Sequence, residues 1–223
     1  MLDSVVLYSG LIILAIGLLS LLTARRRRRG ALLVGAGLIV MIVVLLLPAH
    51  ETRSATRESR LDEVMPVWQF RERHATHVAA SPERVFAAIR SVRADDIALF
   101  RTLTTIRCLG RCIGESILNP SRSTPILDVA TRSGFRYLAD DPPHELVVGT
   151  FVAPRTAATM NFLVTPDGRG GSNVSTETRV FAATAPMRRS FAVYWRIIHP
   201  GSDIIRRGWL RAIKERAEMN DGR

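Results

Sequence analysis

Histidines are the residues of this chain that could most readily carry acid–base or metal chemistry, and they are scattered. They fall in a polar stretch, a strand, a turn and a helix break: His50, His74, His77, His144 and His199. His74 and His77 come nearest to a metal pair, but residues i and i+3 of a strand face opposite ways. Only His74 lies on the apolar side of its predicted strand. No Ser-His-Asp arrangement, paired-carboxylate motif or metal-ligand cluster is visible, so catalysis is not favoured and no cofactor or metal is predicted.

Two further motifs have unremarkable interpretations. Cys108 and Cys112 lie four residues apart in CLGRC, which is not the CxxC spacing of redox or zinc sites. Outside the cytoplasm they could oxidise to each other, but the closed loop is so small that little stabilisation would follow, and two free thiols are the simpler interpretation. The GRGG run at 168–171 lacks the Lys-Ser/Thr of a phosphate loop and joins two predicted strands, so it indicates a hairpin turn.

Two apolar runs near the start of the chain, Val5 to Thr23 and Ala31 to Leu47, are long enough to cross a membrane as helices. At about 1.5 Å per residue they span roughly 26 to 29 Å, close to the ~30 Å hydrocarbon core of a bilayer. Five consecutive arginines, Arg25 to Arg29, separate the runs and cannot enter hydrocarbon. We therefore predict a transmembrane helical hairpin over residues 1–48, with spans of about 5–23 and 31–48.

The arginine turn also predicts the orientation of the chain, since short basic loops are retained on the cytoplasmic side. Arg53, Arg57 and Arg60 weakly oppose it from the flank after the second span. The prediction is a multi-pass protein of the cell membrane, integral to the bilayer, with everything after residue 48 outside the cytoplasm. Because the chain carries a net charge of +11, anionic lipid headgroups are possible partners; nucleic acid is not a predicted partner, since a domain in that place seldom meets it.

The remaining elements predict an α+β order. Residues 49–66 are polar and are predicted as a linker, residues 67–80 alternate as a strand, and Ser81-Pro82 begin an amphipathic helix. The elements that follow are a second short helix from Asp95, an irregular stretch at 107–125, hairpins at 134–153 and 157–183, a long helix from Pro186 that Pro200-Gly201 should break or bend, and a tail at 220–223.

This order resembles the helix-grip fold of the START-like (SRPBCC) superfamily, which includes polyketide cyclases, birch-pollen-allergen-like proteins and lipid-transfer proteins. The resemblance rests on HATHVAASPERVFAAI, ADDPPHELVVGTF and STETRVFA followed by a long helix, and it covers residues 67–219. It implies a curved antiparallel sheet that grips the C-terminal helix, with an apolar pocket between the two.

The resemblance also implies which residues line that pocket. The predicted lining residues are His74, Phe86, Phe100, Val147, Met160, Phe162, Glu177, Arg179, Phe181, Phe191, Tyr194, Trp195 and Ile198. Glu177 and Arg179 would supply polarity in it, although a cross-strand surface ion pair explains them equally simply. The aromatic residues could also fill the core rather than enclose a space.

Three functions therefore stay open. The first is a membrane-anchored domain that binds a lipid or other hydrophobic small molecule, which needs mostly apolar walls and a few polar groups. The second is a tethered interaction domain without a ligand, and the third is a cyclase- or aromatase-like enzyme.

Overall fold

The computed structural model describes residues 2–219, so the predicted tail at 220–223 lies outside the described residues. The described chain divides into two compact units. One comprises residues 2–50 with 185–200, and the other comprises residues 51–184 with 201–219.

The first unit contains a hairpin of two apolar helices, α1 (Leu2–Leu21) and α2 (Arg27–Leu46). A 3₁₀ turn at Ala24–Arg26 joins them, and the last three arginines of the basic run begin α2. Both helices are long and apolar enough to cross a membrane. Only 22% and 17% of their most apolar windows are buried, which differs from a helix in the core of a soluble protein.

Glycines set the distance between α1 and α2. Gly10 and Gly17 are buried on α1, and Gly30 and Gly37 are buried on α2, each pair spaced by two helical turns. A Cβ on Gly17 would lie 2.7 Å from the backbone nitrogen of Val34, so the two backbones are in direct contact. Small residues at such positions are typical of helices that pack inside a membrane.

The second unit contains a five-stranded antiparallel sheet. Its strands are β3 (Phe70–Val78), β4 (Arg136–Asp141), β5 (Glu145–Ala153), β6 (Thr156–Pro166) and β7 (Ser172–Ala182), in the spatial order β3-β7-β6-β5-β4. Two short strands, β1 (Thr52–Arg53) and β2 (Val67–Trp68), pair separately, and a helical turn, α3 (Arg60–Val64), lies between them in sequence.

Helices cover one face of this sheet, which we call the inner face. They are α4 (Pro82–Ser91), α5 (Phe100–Arg107), α6 (Ile126–Arg132) and the second half of α7 (Ala185–Met219). The core contains Val78, Phe162 and Val174 from the strands, and Ile89 and Ile213 from α4 and α7. The α+β prediction of an antiparallel sheet with a long C-terminal helix is confirmed.

The predicted break of the last helix is wrong, because α7 runs unbroken through Pro200, and a bend there stays a prediction. With 35 residues it is ~52 Å long. The longest strands have 11 residues and span only roughly 36 Å. Among the described residues of α7, those that contribute apolar side chains to the core beneath the sheet begin at Ile205.

Candidate functional site

Four of the predicted lining residues belong to the filled core. Phe86, Phe100, Met160 and Phe162 are each at most 5% exposed and pack in one apolar cluster. Phe162 meets Trp209 of α7 edge to face, with ring centroids 5.1 Å apart. These side chains are thus part of the apolar core between the sheet and its helices.

Four others lie on the opposite face of the sheet, which we call the outer face. Cross-strand neighbours point the same way, and Glu177 pairs with Asn161 while Met160 pairs with Thr178. Glu177, Arg179 and Phe181 therefore face away from Met160 and Phe162. Val147 pairs with Asn161 and shares the outer face. The prediction that these four line one pocket with the inner-face residues is wrong, because a residue's parity along a strand does not reveal which face the helices cover.

Glu177 and Arg179 instead form part of a buried ion network on the outer face. Arg179 donates to Asp62 Oδ1 at 2.7 Å, to Glu177 Oε1 at 2.6 Å and to the carbonyl of Met65 at 3.0 Å. Arg71 donates to both carboxylate oxygens of Glu177 at 2.8 Å. Burial raises the pKa of the Glu177 carboxyl, but the hydrogen bonds from the two arginines outweigh burial and leave that pKa below its usual value.

The stretch predicted as a linker supplies the other half of this network. Burial opposes ionisation of Asp62, but hydrogen bonds from Ser54, Arg179 and Ser59 prevail and lower the pKa of Asp62 to about 2. Ser59 and Asp62 form a capping box at the start of α3. Residues 51–68 are thus folded, and the Ser-x-x-Asp spacing is the sequence signal that could have shown it.

A buried carboxylate on the sheet holds the start of α3. Glu145 accepts hydrogen bonds from the backbone N–H groups of Arg60 at 2.6 Å and Leu61 at 3.2 Å. Asn161 donates to the same carboxylate at 2.6 Å. Because the first N–H groups of a helix have no partners within it, this carboxylate satisfies two of them.

The last four predicted lining residues belong to the unit of the apolar hairpin. Phe191, Tyr194, Trp195 and Ile198 lie in residues 185–200, so their assignment to a pocket of the sheet is not supported. Contacts within that unit include a bond from Tyr8 Oη to the carbonyl of Ile197 at 2.9 Å. The error has a physical cause: helical periodicity continues along all of α7, whereas only its second half accompanies the sheet.

His74 remains, and the structure places it in a buried polar group on the inner face. Its Nε2 lies 3.0 Å from Glu72 Oε1 and 3.5 Å from Asp203 Oδ1. Ser202 Oγ donates to the other Glu72 oxygen at 2.7 Å. We call Glu72, His74, Ser202 and Asp203 the inner polar cluster. Glu72 shares the parity of His74 along the strand, which is the signal that sequence reasoning overlooked.

Arg206 lies one helical turn beyond this cluster on α7. Its guanidinium contacts the thioether sulfur of Met160 and lies 5.5 Å from the centre of the Trp209 ring. Burial lowers the pKa of Arg206, and the nearby charge of Glu72 partly opposes that change. A guanidinium thus lies beside aromatic and thioether groups of the core.

Several buried polar atoms, two on the inner face and one on α7, have no hydrogen-bond partner among the described residues. They are Thr176 Oγ1, Thr178 Oγ1 and Trp209 Nε1. Thr176 pairs with His74, and Thr178 pairs with Glu72 and Met160, so both hydroxyls share the face of the inner polar cluster. Buried polar groups are nearly always hydrogen-bonded in proteins. This region therefore has hydrogen-bond donors and acceptors that a bound molecule could satisfy.

Two other features lie away from this face. Cys108 and Cys112 form a disulfide, so the expectation of two free thiols is wrong. Surface depressions of about 330 and 380 Å³ are lined by Arg60, Val64 and Leu138 and by His77, Asp167 and Arg169, among others. No residue of α7 lines either of these two depressions.

Comparison with known proteins adds only distant structural likeness. No protein-family model matches the sequence, and no curated protein matches it. The chain is similar to protein MLL2253 from Mesorhizobium loti, at 15% identity and a TM-score of 0.36 over 68% of this chain and 99% of that one. It is also similar to a conserved protein from Geobacillus kaustophilus, at 13% identity and a TM-score of 0.37 over 68% and 97%. CalU16 from Micromonospora echinospora matches at 12% identity and a TM-score of 0.28 over 67% and 84%. Likeness at this level says nothing about what this chain binds.

Proposed function

We propose that this chain is a membrane-anchored domain that binds an amphipathic small molecule between the inner face of its sheet and the second half of α7. The observation that carries the proposal is a set of buried polar atoms without a partner among the described residues, namely Thr176 Oγ1 and Thr178 Oγ1 on that face and Trp209 Nε1 on α7. A ligand that brings its own donors and acceptors to them would satisfy polar groups that the protein leaves unpaired.

The neighbouring side chains favour a ligand with an anionic head and an apolar body. Arg206 offers a cation in apolar surroundings, where a carboxylate would form a charge-assisted hydrogen bond. The apolar body of the ligand would occupy the volume that the Met160 side chain now fills. The unbranched thioether chain of Met160 can adopt another conformation easily. Met160 is only 5% exposed and its sulfur contacts Arg206, so binding requires both side chains to change rotamers.

The anchor in this proposal is the α1–α2 hairpin. Its outward side chains include Leu19, Leu22 and Leu32, which are 67%, 82% and 74% exposed and would meet water if no bilayer surrounded them. The positive-inside rule then assigns the folded domain to the extracytoplasmic side. The Cys108–Cys112 disulfide supports that side, because disulfides persist in oxidising compartments.

Uptake of a fluorescent fatty acid by the full chain in detergent tests the binding function. We expect saturable uptake that weakens at least tenfold in Arg206→Met, which keeps the length of the side chain and removes its charge. Arg211→Met, on an exposed position of the same helix, is the matched control and should bind like the wild type. Non-saturable uptake, or equal uptake by all three proteins, would favour a tethered interaction domain without a ligand.

A further inference from the structure

We propose that the inner polar cluster is a binding site for a divalent transition-metal ion, with Zn²⁺ as the best-fitting ion. Its ligands are Glu72, His74 and Asp203. One donor atom from each side chain lies within 4.8 Å of the other two. The site stands on its own geometry and does not require the amphipathic ligand proposed above.

The separations between the donor atoms fit a small coordination sphere. Zinc binds imidazole nitrogen and carboxylate oxygen at about 2.0–2.2 Å, so two ligands at a tetrahedral angle lie roughly 3.3–3.6 Å apart. His74 Nε2 lies 3.0 Å from Glu72 Oε1 and 3.5 Å from Asp203 Oδ1. To bind an ion among the three donor atoms, the distances from His74 Nε2 to the two carboxylate oxygens would have to change by only a few tenths of an ångström.

The arrangement of donor atoms in the cluster also favours an ion. Two carboxylates approach one ring nitrogen, and that nitrogen carries at most one hydrogen. A metal ion bound to the same nitrogen would serve both carboxylates at once. Nitrogen with carboxylate oxygen is a donor set that suits zinc and neighbouring first-row metals.

The supporting groups resemble those around known metal ligands. Ser202 Oγ donates to the Glu72 oxygen that His74 does not contact, at 2.7 Å. Arg207, which is 62% exposed, donates to both oxygens of Asp203 from the solvent side, at 2.9 and 3.2 Å. Such outer hydrogen bonds fix the orientation of carboxylates that bind metals.

A second observation points independently to a ligand at this place. Thr176 is 1% exposed, and its hydroxyl has no partner among the described residues. It pairs directly with His74 across the two strands, so the side chains of Thr176 and His74 are neighbours on the inner face. Three protein ligands leave a coordination position for water, and Thr176 is placed to hydrogen-bond to a molecule bound there.

Zinc titration of the full chain in detergent, after treatment with a chelator, tests the site. We expect one tight Zn²⁺ per chain, with affinity reduced at least tenfold in Glu72→Gln and in His74→Gln. His77→Gln is the matched control, because His77 lies on the same strand and bonds Asp167 at 2.8 Å, but faces the other way and is half exposed. Co²⁺ absorption should show the intense d–d bands of a four-coordinate site in the wild type and in His77→Gln only.

Two results would overturn the metal site. One is the absence of saturable Zn²⁺ or Co²⁺ binding by wild-type protein whose circular dichroism shows it to be folded. The other is binding that His77→Gln removes and Glu72→Gln retains. Fatty-acid uptake measured on the chelated protein keeps the two proposals separate, since uptake without metal binding contradicts only the metal site and metal binding without uptake contradicts only the binding function.

Discussion

Arg179 and Asp62 form a buried ion pair, with NH2 of the arginine 2.7 Å from Oδ1 of the aspartate, although 117 residues separate them in sequence. The Arg179 guanidinium also lies over the Trp68 ring, with its Cζ 3.9 Å from the ring centre. The pair attaches the segment between the hairpin and the sheet to the outer face, so this segment is part of the folded domain.

Asp62→Ala should therefore destabilise the domain. Removing one partner leaves the buried guanidinium short of one carboxylate, which costs about 3 kcal/mol, the low end of the range for buried pairs because Glu177 still contacts Arg179. Glu63→Ala is the matched control, since Glu63 is half exposed and pairs with Arg60 at the surface. Urea unfolding followed by tryptophan fluorescence measures both, and equal midpoints for the two variants would contradict the account.

The stability of the domain should also fall in acid through the same residue. The pKa of Asp62 in the folded protein is about 2, against 3.8 for an ordinary aspartate. Because the folded value is the lower one, its contribution of about 2 kcal/mol is complete above pH ~4 and is lost as the pH falls toward 2. The difference in unfolding free energy between wild type and Asp62→Asn should shrink over that window. A difference that stays constant from pH 5 to pH 2 would show that Asp62 is not responsible.

The packing of α1 against α2 should depend on the glycines that lie between the two helices and not on the others. Gly17→Ala places a methyl group 2.7 Å from the Val34 nitrogen, so the helices must separate, at a cost of roughly 1–3 kcal/mol. Gly35→Ala is the control, because a Cβ there meets nothing within 4 Å. Disulfide trapping between cysteines placed on facing positions of α1 and α2 reports their separation, and the same trapping efficiency in both variants would refute close packing.

The orientation of the chain can be read by cysteine labelling in intact cells. In a background without Cys108 and Cys112, Ala55→Cys should react with an impermeant maleimide from outside, and Thr23→Cys should react only after lysis. Both positions are exposed, so the folded protein does not shield either cysteine from the reagent. The reverse pattern would place the folded domain in the cytoplasm.

The order of elements and the alternation within strands could be predicted from the sequence because they follow local periodicity. The strand around His74 and the long last helix are examples. The site could not be predicted, because alternation tells which residues share a face and not which face receives the helices. Glu177 and Arg179 were therefore predicted to line the pocket although they lie on the outer face, and Glu72, Ser202 and Asp203 were not predicted at all. Glu72 and Asp203 come together because α7 packs beside β3, although the two elements are far apart in sequence.

Native mass spectrometry of the full chain released from detergent micelles tests the binding function most directly. The account predicts a small amphipathic molecule that stays bound to the wild type and to Arg211→Met, and that is lost from Arg206→Met. The same spectra taken after adding a fatty acid should show one bound molecule per chain in the first two proteins. A wild-type spectrum with only the mass of the bare chain, before and after the addition, would contradict the claim that the inner face binds a ligand.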